Sequence, residues 1–186
     1  HKGLGYAIAR KLAQREEMRV VVTSRQEQDG LAAQQRLSDD GLQVDYHPLD
    51  VTNDLSVQQF ITWLQQAYGR VEILVNNAGV NPTLQPDESS LLTVQPETML
   101  STFATNVLAV MRITQALVPF MRAQNYGRIV NVSTEMASLS SMSSDGYPLA
   151  PSYRLSKVGL SGLTALWAKV LQGTNILVNA YSPGWM

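Results

Sequence analysis

Short apolar segments alternate with helical segments along almost the whole chain of 186 residues. Strands covered on both faces are typically rich in Val, Ile and Leu throughout. Apolar strands separated by helices predict a doubly wound α/β fold with a parallel sheet, which binds ligands outside the carboxyl ends of its strands. The predicted strands are MRVVVTSR, LQVDYHPLD, VEILVNNAG, YGRIVNVST and NILVNAYSPG.

Segments with apolar residues at helical spacing lie between these strands. The longest is predicted to span about Pro96 to Arg122, with Gln95-Pro96-Glu97 at its start. Two long loops, VNPTLQPDESSLLTVQ and EMASLSSMSSDGYPLAPS, follow strand ends, and loops of this length are usually functional or mobile. The other predicted helices are GYAIARKLAQRE, QEQDGLAAQQRLSDD, LSVQQFITWLQQAYG and SYRLSKVGLSGLTALWAKVLQG.

The composition excludes several kinds of chemistry. The chain has no cysteine, which excludes disulfides, thiolate metal sites and a cysteine nucleophile. Two histidines, His1 and His47, are too few for a histidine-rich metal site, and we predict no metal. A net charge of -1 gives no basic surface for nucleic acid, and no run of 18 apolar residues predicts a membrane span. Catalysis therefore has to use oxygen and amine groups.

Gly3 and Gly5 stand at the start of the first predicted helix. Glycines there let the backbone approach a phosphate, and the helix N-terminus supplies free N–H groups and a positive dipole. A strand follows about 15 residues later, as a βαβ unit requires. The position of the two glycines therefore indicates a dinucleotide site.

The end of the next strand indicates which dinucleotide binds. An acidic residue usually holds the ribose 2′-hydroxyl at this place, but the chain reads Thr23-Ser24-Arg25. A hydroxyl and a guanidinium suit a 2′-phosphate instead, and Lys2 adds a second cation, so NADP is predicted in preference to NAD. Asp50, at the end of the predicted strand LQVDYHPLD, either accepts hydrogen bonds from an adenine amino group or caps the helix that follows.

Four stretches occur in order along the chain: KGLG (2–5), LVNNAG (74–79), IVNVST (129–134) and YRLSK (153–157), with SPGW (182–185) closing the set. Together they closely resemble the short-chain dehydrogenase/reductase family, and among its members the NADPH-dependent carbonyl reductases. The resemblance covers nearly the whole chain, short of the family's first strand and C-terminal part. It implies one NAD(P)-binding Rossmann domain over residues 1–186, a fragment of a longer protein whose first strand lies upstream of His1.

The resemblance also implies roles for individual residues. Asn106, Thr134, Tyr153 and Lys157 match the catalytic tetrad, and Pro183-Gly184 matches the P-G beside the nicotinamide. The residues at 76–79 match the family's N-N-A-G, which steadies the sheet and lies against the cofactor ribose. The cofactor-binding residues indicated by the sequence and the resemblance are Lys2, Gly3, Leu4, Gly5, Ser24, Arg25, Asp50, Val51, Asn77, Ala78, Gly79, Tyr153, Lys157, Pro183 and Gly184.

One position departs from the family's pattern, because Thr134 stands where the catalytic serine is expected. A threonine hydroxyl makes the same hydrogen bonds, but its methyl restricts the rotamer and crowds the substrate. Ser133 is no simple substitute, since adjacent strand residues point to opposite faces. We expect activity to survive with a narrower pocket, and weakened or lost activity is the alternative.

The expected mechanism is acid catalysis of hydride transfer to a carbonyl. The oxygen left with charge needs an acid, and free tyrosine has a pKa of about 10. A cation one helical turn away favours the phenolate and lowers that pKa, and Lys157 follows Tyr153 by four residues. Lys157 would also bind the cofactor ribose, Thr134 would hold the carbonyl oxygen, and Asn106 would position a water that links Lys157 to solvent.

The leading hypothesis is therefore an NADPH-dependent carbonyl reductase acting on a small aldehyde or ketone. The alternatives are a cofactor-binding regulator whose turnover Thr134 impairs, and an NAD-linked alcohol dehydrogenase. The family usually assembles through the helix that carries Tyr153 and the long helix before it, so a homodimer or homotetramer is expected. The cytoplasm is the expected compartment unless a targeting segment precedes His1.

Overall fold

The computed structural model describes residues 3–143 and 146–184, and the chain divides into two compact units, His1–Gln66 and Ala67–Met186. Helices alternate with strands as the sequence predicts. In chain order the elements are α1 Leu4–Ala13, β1 Val20–Ser24, α2 Glu27–Asp39, β2 Val44–Pro48, α3 Asp54–Ala67, β3 Ile73–Asn76, α4 Pro96–Phe103, α5 Ala109–Ala123, β4 Gly127–Val132, α6 Pro151–Val170 and β5 Ile176–Tyr181.

The first unit is built on a parallel pair of strands, β1 and β2, with Val22 opposite Tyr46. Helix α2 buries Gly30 and the fully buried Leu37. The Tyr46 ring lies directly against the backbone of α2, because a Cβ at Gly30 would overlap that ring and lie 2.6 Å from Ser24 Oγ. Glycine is therefore required at this point of the helix for close packing.

The second unit is built on a three-stranded parallel sheet in the order β3-β4-β5. Ile129 at the centre of β4 lies opposite Leu74 on one side and Val178 on the other. Parallel sheets need cover on both faces, which explains strands that are apolar throughout. The core cluster consists of Val118, Met121, Ile129, Leu171, Ile176 and Val178.

A buried chain of polar side chains crosses this sheet. Asn76 donates from Nδ2 to Asn131 Oδ1 at 2.8 Å, and Asn131 Nδ2 donates to Thr164 Oγ1 of α6 at 2.9 Å. Asn76 Nδ2 also lies 3.5 Å from Thr114 Oγ1 of α5. Since all four side chains are buried, these bonds offset the cost of removing polar groups from water.

The predicted α/β class with parallel strands is confirmed, with two differences of detail. The strands pair as two separate sheets in the part of the chain that the structure describes, rather than as one. The predicted helix from Pro96 to Arg122 ends one residue later and contains a π-helical turn at Ala104–Leu108, which separates α4 from α5. That turn contains Asn106.

Among the described residues, one helix is long and apolar enough to cross a membrane by length and composition. It is the continuous stretch Pro96–Ala123, with a mean hydropathy of 1.3 in its most apolar window. Its second half, α5, buries seven residues in the second unit and includes Arg112 and Arg122. This burial is typical of a core helix, and core helices of globular proteins can have the same length and apolar composition as a membrane span.

Candidate active site

Helix α6 brings Tyr153 and Lys157 onto one face in its first two turns. The helix begins at Pro151, where the missing N–H of proline costs no hydrogen bond. Tyr153 is half-buried, Lys157 is 6% exposed, and the Lys157 ammonium lies 5.8 Å from the centroid of the Tyr153 ring. The two residues are therefore neighbours, as their spacing predicts.

Thr134 follows the end of β4 and reaches Tyr153. Its hydroxyl accepts a hydrogen bond from Met136 N at 3.3 Å, which caps a short 3-10 turn at Glu135–Ala137. The Thr134 side chain also makes a hydrogen bond with Tyr153. Ser133 is buried, and its hydroxyl has no hydrogen-bond partner within the described residues. Thr134, and not Ser133, is thus the strand-end hydroxyl beside the tyrosine.

Burial raises the pKa of the Tyr153 phenol above its ordinary value, while the hydrogen bond with Thr134 lowers it. Burial dominates, so the chain by itself does not produce the lowered pKa expected from Lys157. Burial also lowers the pKa of Lys157, to about 8. At pH 7 the ammonium is still the major form, and it donates to Val132 O at 2.7 Å.

Asn106 connects the segment after β3 to helix α6, which carries Tyr153, through hydrogen bonds. This fully buried amide accepts from Val80 N and donates to Val80 O and to Ser156 Oγ, each at 2.9 Å. Both of its donor hydrogens are used, so a water could bind the amide only at the second lone pair of Oδ1. Gly79 lies against this amide, because a Cβ there would be 3.2 Å from Asn106 Oδ1 and 3.7 Å from Lys157 Nζ.

The other predicted residues of the second unit lie at strand ends. Asn77, Ala78 and Gly79 are exposed directly after β3, and Pro183 and Gly184 follow β5. Gly184 has a φ of 78°, which favours glycine. Because β3, β4 and β5 are parallel, these residues share one edge of the sheet with Thr134.

The predicted phosphate-binding residues lie at helix and strand ends of the first unit. Gly3, with a φ of 85°, precedes α1, and Leu4 and Gly5 form its first turn. No side chain of the described residues caps α1, so its first N–H groups are available to an anion. Arg25 follows β1 directly, whereas Lys2 lies outside the described residues.

Ser24, Asp50 and Val51 complete the predicted set in this unit. Ser24 Oγ donates to Gln26 O at 2.6 Å, so its hydrogen is already engaged. Asp50 Oδ1 accepts from the hydroxyl and the backbone N–H of Thr52, and these two bonds are the main reason that the Asp50 pKa is lowered. Burial opposes them by raising the pKa, and the charge of Arg25 lowers it. Val51 lies in the turn after β2.

The alternative role for Asp50, as the cap of helix α3, is wrong. Asn53 caps that helix, since its Oδ1 accepts from Ser56 N at 2.9 Å. Asp50 instead closes a turn before the helix, since its Oδ1 accepts from the backbone N–H of Thr52, two residues further along the chain.

Sequence reasoning missed two buried charged residues beside Tyr153. Glu88, in the first long loop, is 1% exposed, and Arg154 is 2% exposed. From sequence alone, a charged residue in a polar loop or at an unspecified position of the Y-x-x-x-K motif is expected to be exposed to solvent. Whether such a charge is buried depends on partners that are distant in the chain.

Comparisons with known proteins agree with this geometry. A family profile described as "short chain dehydrogenase" matches residues 1–186. The chain is 30% identical to carbonyl reductase (NADPH) 3 of Rattus norvegicus over 226 residues, covering 100% of this chain and 79% of that protein. It is 36% identical over 143 residues to 3-oxoacyl-(acyl-carrier-protein) reductase FabG of Thermotoga maritima, covering 77% of this chain and only 54% of that protein.

Solved structures are similar as well. A metagenomic short-chain oxidoreductase in complex with NADP has a TM-score of 0.84 and 30% sequence identity to the chain. The match covers 100% of this chain and 79% of the solved one.

Proposed function

The chain belongs to the short-chain dehydrogenase/reductase family, and from this premise we propose that it is an NADPH-dependent reductase of aldehydes or ketones. The family membership makes it an oxidoreductase. The proposal adds the cofactor, the direction of reaction, the residue roles and the class of substrate. It also covers one Rossmann domain over residues 1–186 and a homodimer or homotetramer.

Two features of the first unit support NADP(H) as the cofactor. The uncapped start of α1 with Gly3 suits a phosphate, because free N–H groups and the helix dipole favour an anion. Arg25, rather than a carboxylate, follows β1, which suits the 2′-phosphate of NADP. The relative and the solved structure with 30% identity are named for NADPH and NADP respectively.

Each catalytic role follows from the chemistry of a side chain. Bound NADPH would supply a hydride to the carbonyl carbon, and the carbonyl oxygen would then need a proton. Tyr153 would donate it from the phenol that lies beside Thr134, and Thr134 would hold the carbonyl oxygen through its hydroxyl. Lys157 would bind the cofactor ribose with donors that remain after its bond to Val132 O, and its charge would stabilise the phenolate.

The observation that carries the proposal is the cluster of Thr134, Tyr153 and Lys157 at the carboxyl edge of the parallel sheet. The test is NADPH oxidation with a panel of aldehydes and ketones. Tyr153→Phe should lower kcat by about 10³-fold or more while leaving the Kd for NADPH unchanged. Tyr126→Phe, at the opposite end of β4, is the matched control. Retained activity in Tyr153→Phe would overturn the assignment of the acid.

Cofactor preference is tested separately. Arg25→Glu removes the guanidinium and adds a carboxylate that can accept from a ribose 2′-hydroxyl. The ratio of kcat/KM for NADPH to that for NADH should fall by about 100-fold or more. An unchanged ratio would mean that Arg25 does not contact a 2′-phosphate, and it would favour the alternative hypothesis of an NAD-linked alcohol dehydrogenase.

A second candidate is reduction of a 3-oxoacyl thioester. The 36% identity to the Thermotoga maritima reductase favours it, although that match spans only part of both chains. A 3-oxoacyl thioester therefore belongs in the substrate panel, and a kcat/KM well above that of every free ketone would select it. Tight NADPH binding without turnover on any carbonyl, unrescued by Thr134→Ser, would instead indicate a cofactor-binding regulator.

A further inference from the structure

Arg154 is a buried cation in the first turn of the helix that carries Tyr153. Its side chain is 2% exposed and points away from solvent into the loop that follows Thr134. Nη2 donates to Ser141 O at 2.6 Å, Nε to Met136 O at 3.2 Å, and Nη1 to Pro148 O at 3.4 Å. One guanidinium thus donates hydrogen bonds to three backbone carbonyls, which lie at both ends of one loop.

Glu88 makes the corresponding contact from the other long loop. Its carboxylate is 1% exposed, and Oε2 accepts from Ser152 N at 3.1 Å, in the first turn of α6. The neighbouring Asp87 holds the same loop to helix α4 through Thr98 Oγ1 at 3.3 Å. Glu88 therefore caps α6 from 64 positions upstream, where the helix dipole favours a negative charge.

The backbone between these two contacts is strained. Ala150, the residue before the helix, has φ 39° and ψ 57° and is fully buried. A left-handed conformation at a residue with a Cβ persists only where the surrounding contacts hold it. Ala150 lies between Pro148, which accepts from Arg154, and Ser152, which donates to Glu88, so the strained residue lies between the two loop contacts. Arg154 N also donates to Ala150 O at 2.9 Å.

We propose that Arg154 and Glu88 are positioning residues, which fix the two long loops to the first turn of α6 and thereby align Tyr153 with Thr134. Each residue acts on its own loop: Arg154 on residues 135–143 and 146–149, and Glu88 on residues 80–95. Neither touches the reacting atoms. The kinetic part of this inference rests on the proposed reductase function, while the structural part does not.

The first experiment is hydrogen–deuterium exchange of the whole chain, which needs no substrate. Arg154→Met removes all the donors, and exchange in residues 135–143 should speed up by about tenfold or more with residues 80–95 unchanged. Glu88→Met removes the acceptor and should give the reverse pattern. Arg122→Met and Glu97→Met make the same changes at exposed helical positions and should alter neither loop.

Conservative variants keep the test decisive if a methionine variant does not fold. Glu88→Gln retains an oxygen acceptor for Ser152 N and should restore slow exchange in its loop. Arg154→Lys keeps the charge but has one nitrogen for three carbonyls, so the loop after Thr134 should still exchange faster. Loosening of both loops by Arg154→Met, Arg154→Lys or Glu88→Met, or of neither loop by any of these three variants, would overturn the inference.

The second experiment separates positioning from general stability. Arg154→Lys should lower kcat/KM for the carbonyl by about tenfold per NADPH-binding site, mainly through kcat, because Tyr153 and Thr134 act in the transition state, and the Kd for NADPH should be unchanged. A purely structural role would lower the melting temperature and the number of NADPH-binding sites but leave kcat/KM per site unchanged, and that result would overturn the positioning role. If the wild-type chain turns over no carbonyl, the proposed function fails and the exchange patterns alone decide this inference.

Discussion

Replacing Lys157 with methionine should remove a pH-dependent contribution to folding stability. Lys157 is 6% exposed, and burial lowers its pKa from 10.5 to about 8. Between about pH 8 and pH 10.5 the unfolded chain therefore binds this proton more strongly than the folded chain does. The contribution of Lys157 destabilises the fold below this window, and the penalty disappears as the pH rises through it.

The magnitude follows from the linkage between the two pKa values. A pKa of about 8 in the folded chain and 10.5 in the unfolded chain gives a total penalty of about 3 kcal/mol at low pH. Raising the pH from 7 to 9.5 should relieve about 2 kcal/mol of it. The Lys157→Met variant also loses the hydrogen bond to Val132 O, which lowers its free energy of unfolding by about 1 to 3 kcal/mol at every pH. The informative quantity is therefore how the stability difference changes with pH, and not its size at one pH.

The assay is urea unfolding of both proteins at pH 7 and pH 9.5, followed by circular dichroism. The difference in the free energy of unfolding between wild type and Lys157→Met should shift by about 2 kcal/mol in favour of wild type at the higher pH. Measurements stop at 9.5 because Tyr153, with its raised pKa, opposes this trend above about pH 10. Lys169→Met, at an exposed position of the same helix, should give parallel curves. A difference that is constant to within about 0.5 kcal/mol would refute the buried ammonium.

Three further outcomes follow from named contacts. Thr134→Val should lower kcat/KM by about 100-fold with the pH profile moved upward, since the hydroxyl that lowers the tyrosine pKa is lost, whereas Thr134→Ser should stay within about threefold. Asn131→Leu removes one hydrogen bond from each of two buried side chains, Asn76 and Thr164, and should cost about 2 to 4 kcal/mol in urea unfolding. Gly30→Ala should cost about 1 to 3 kcal/mol, relieved by Tyr46→Leu, whereas Gly162→Ala, which meets open space, should cost nothing.

Local periodicity carried most of what the sequence predicted correctly. Helix geometry alone puts Tyr153 and Lys157 on one face, and apolar runs alone identify the buried parallel strands. The ends of these strands then follow, and with them the edge on which Thr134 lies. Each of these inferences needs only residues a few positions apart.

The contacts that the sequence did not reveal join distant positions. Asn76 and Asn131 are 55 residues apart, and Glu88 and Ser152 are 64 apart. In one sequence a buried Glu88 and an exposed Glu97 look alike, because burial is decided by the partner and not by the residue. Such contacts can be identified only once the fold shows which loop packs against which helix.

The π-helical turn at Ala104–Leu108 is hidden for a different reason. The apolar residues of α4 and α5 continue one helical pattern across it, so no break in periodicity marks the extra residue in the turn. The amide of Asn106 within this turn bonds both Val80 and Ser156. A π turn shifts the helical register by one residue, so an uninterrupted α-helix would aim that side chain differently. The contact between the end of β3 and the helix of Tyr153 therefore depends on a local irregularity in the helix. This explains how an asparagine on an apolar helix can have a structural role and still lie against Gly79 in the candidate active site.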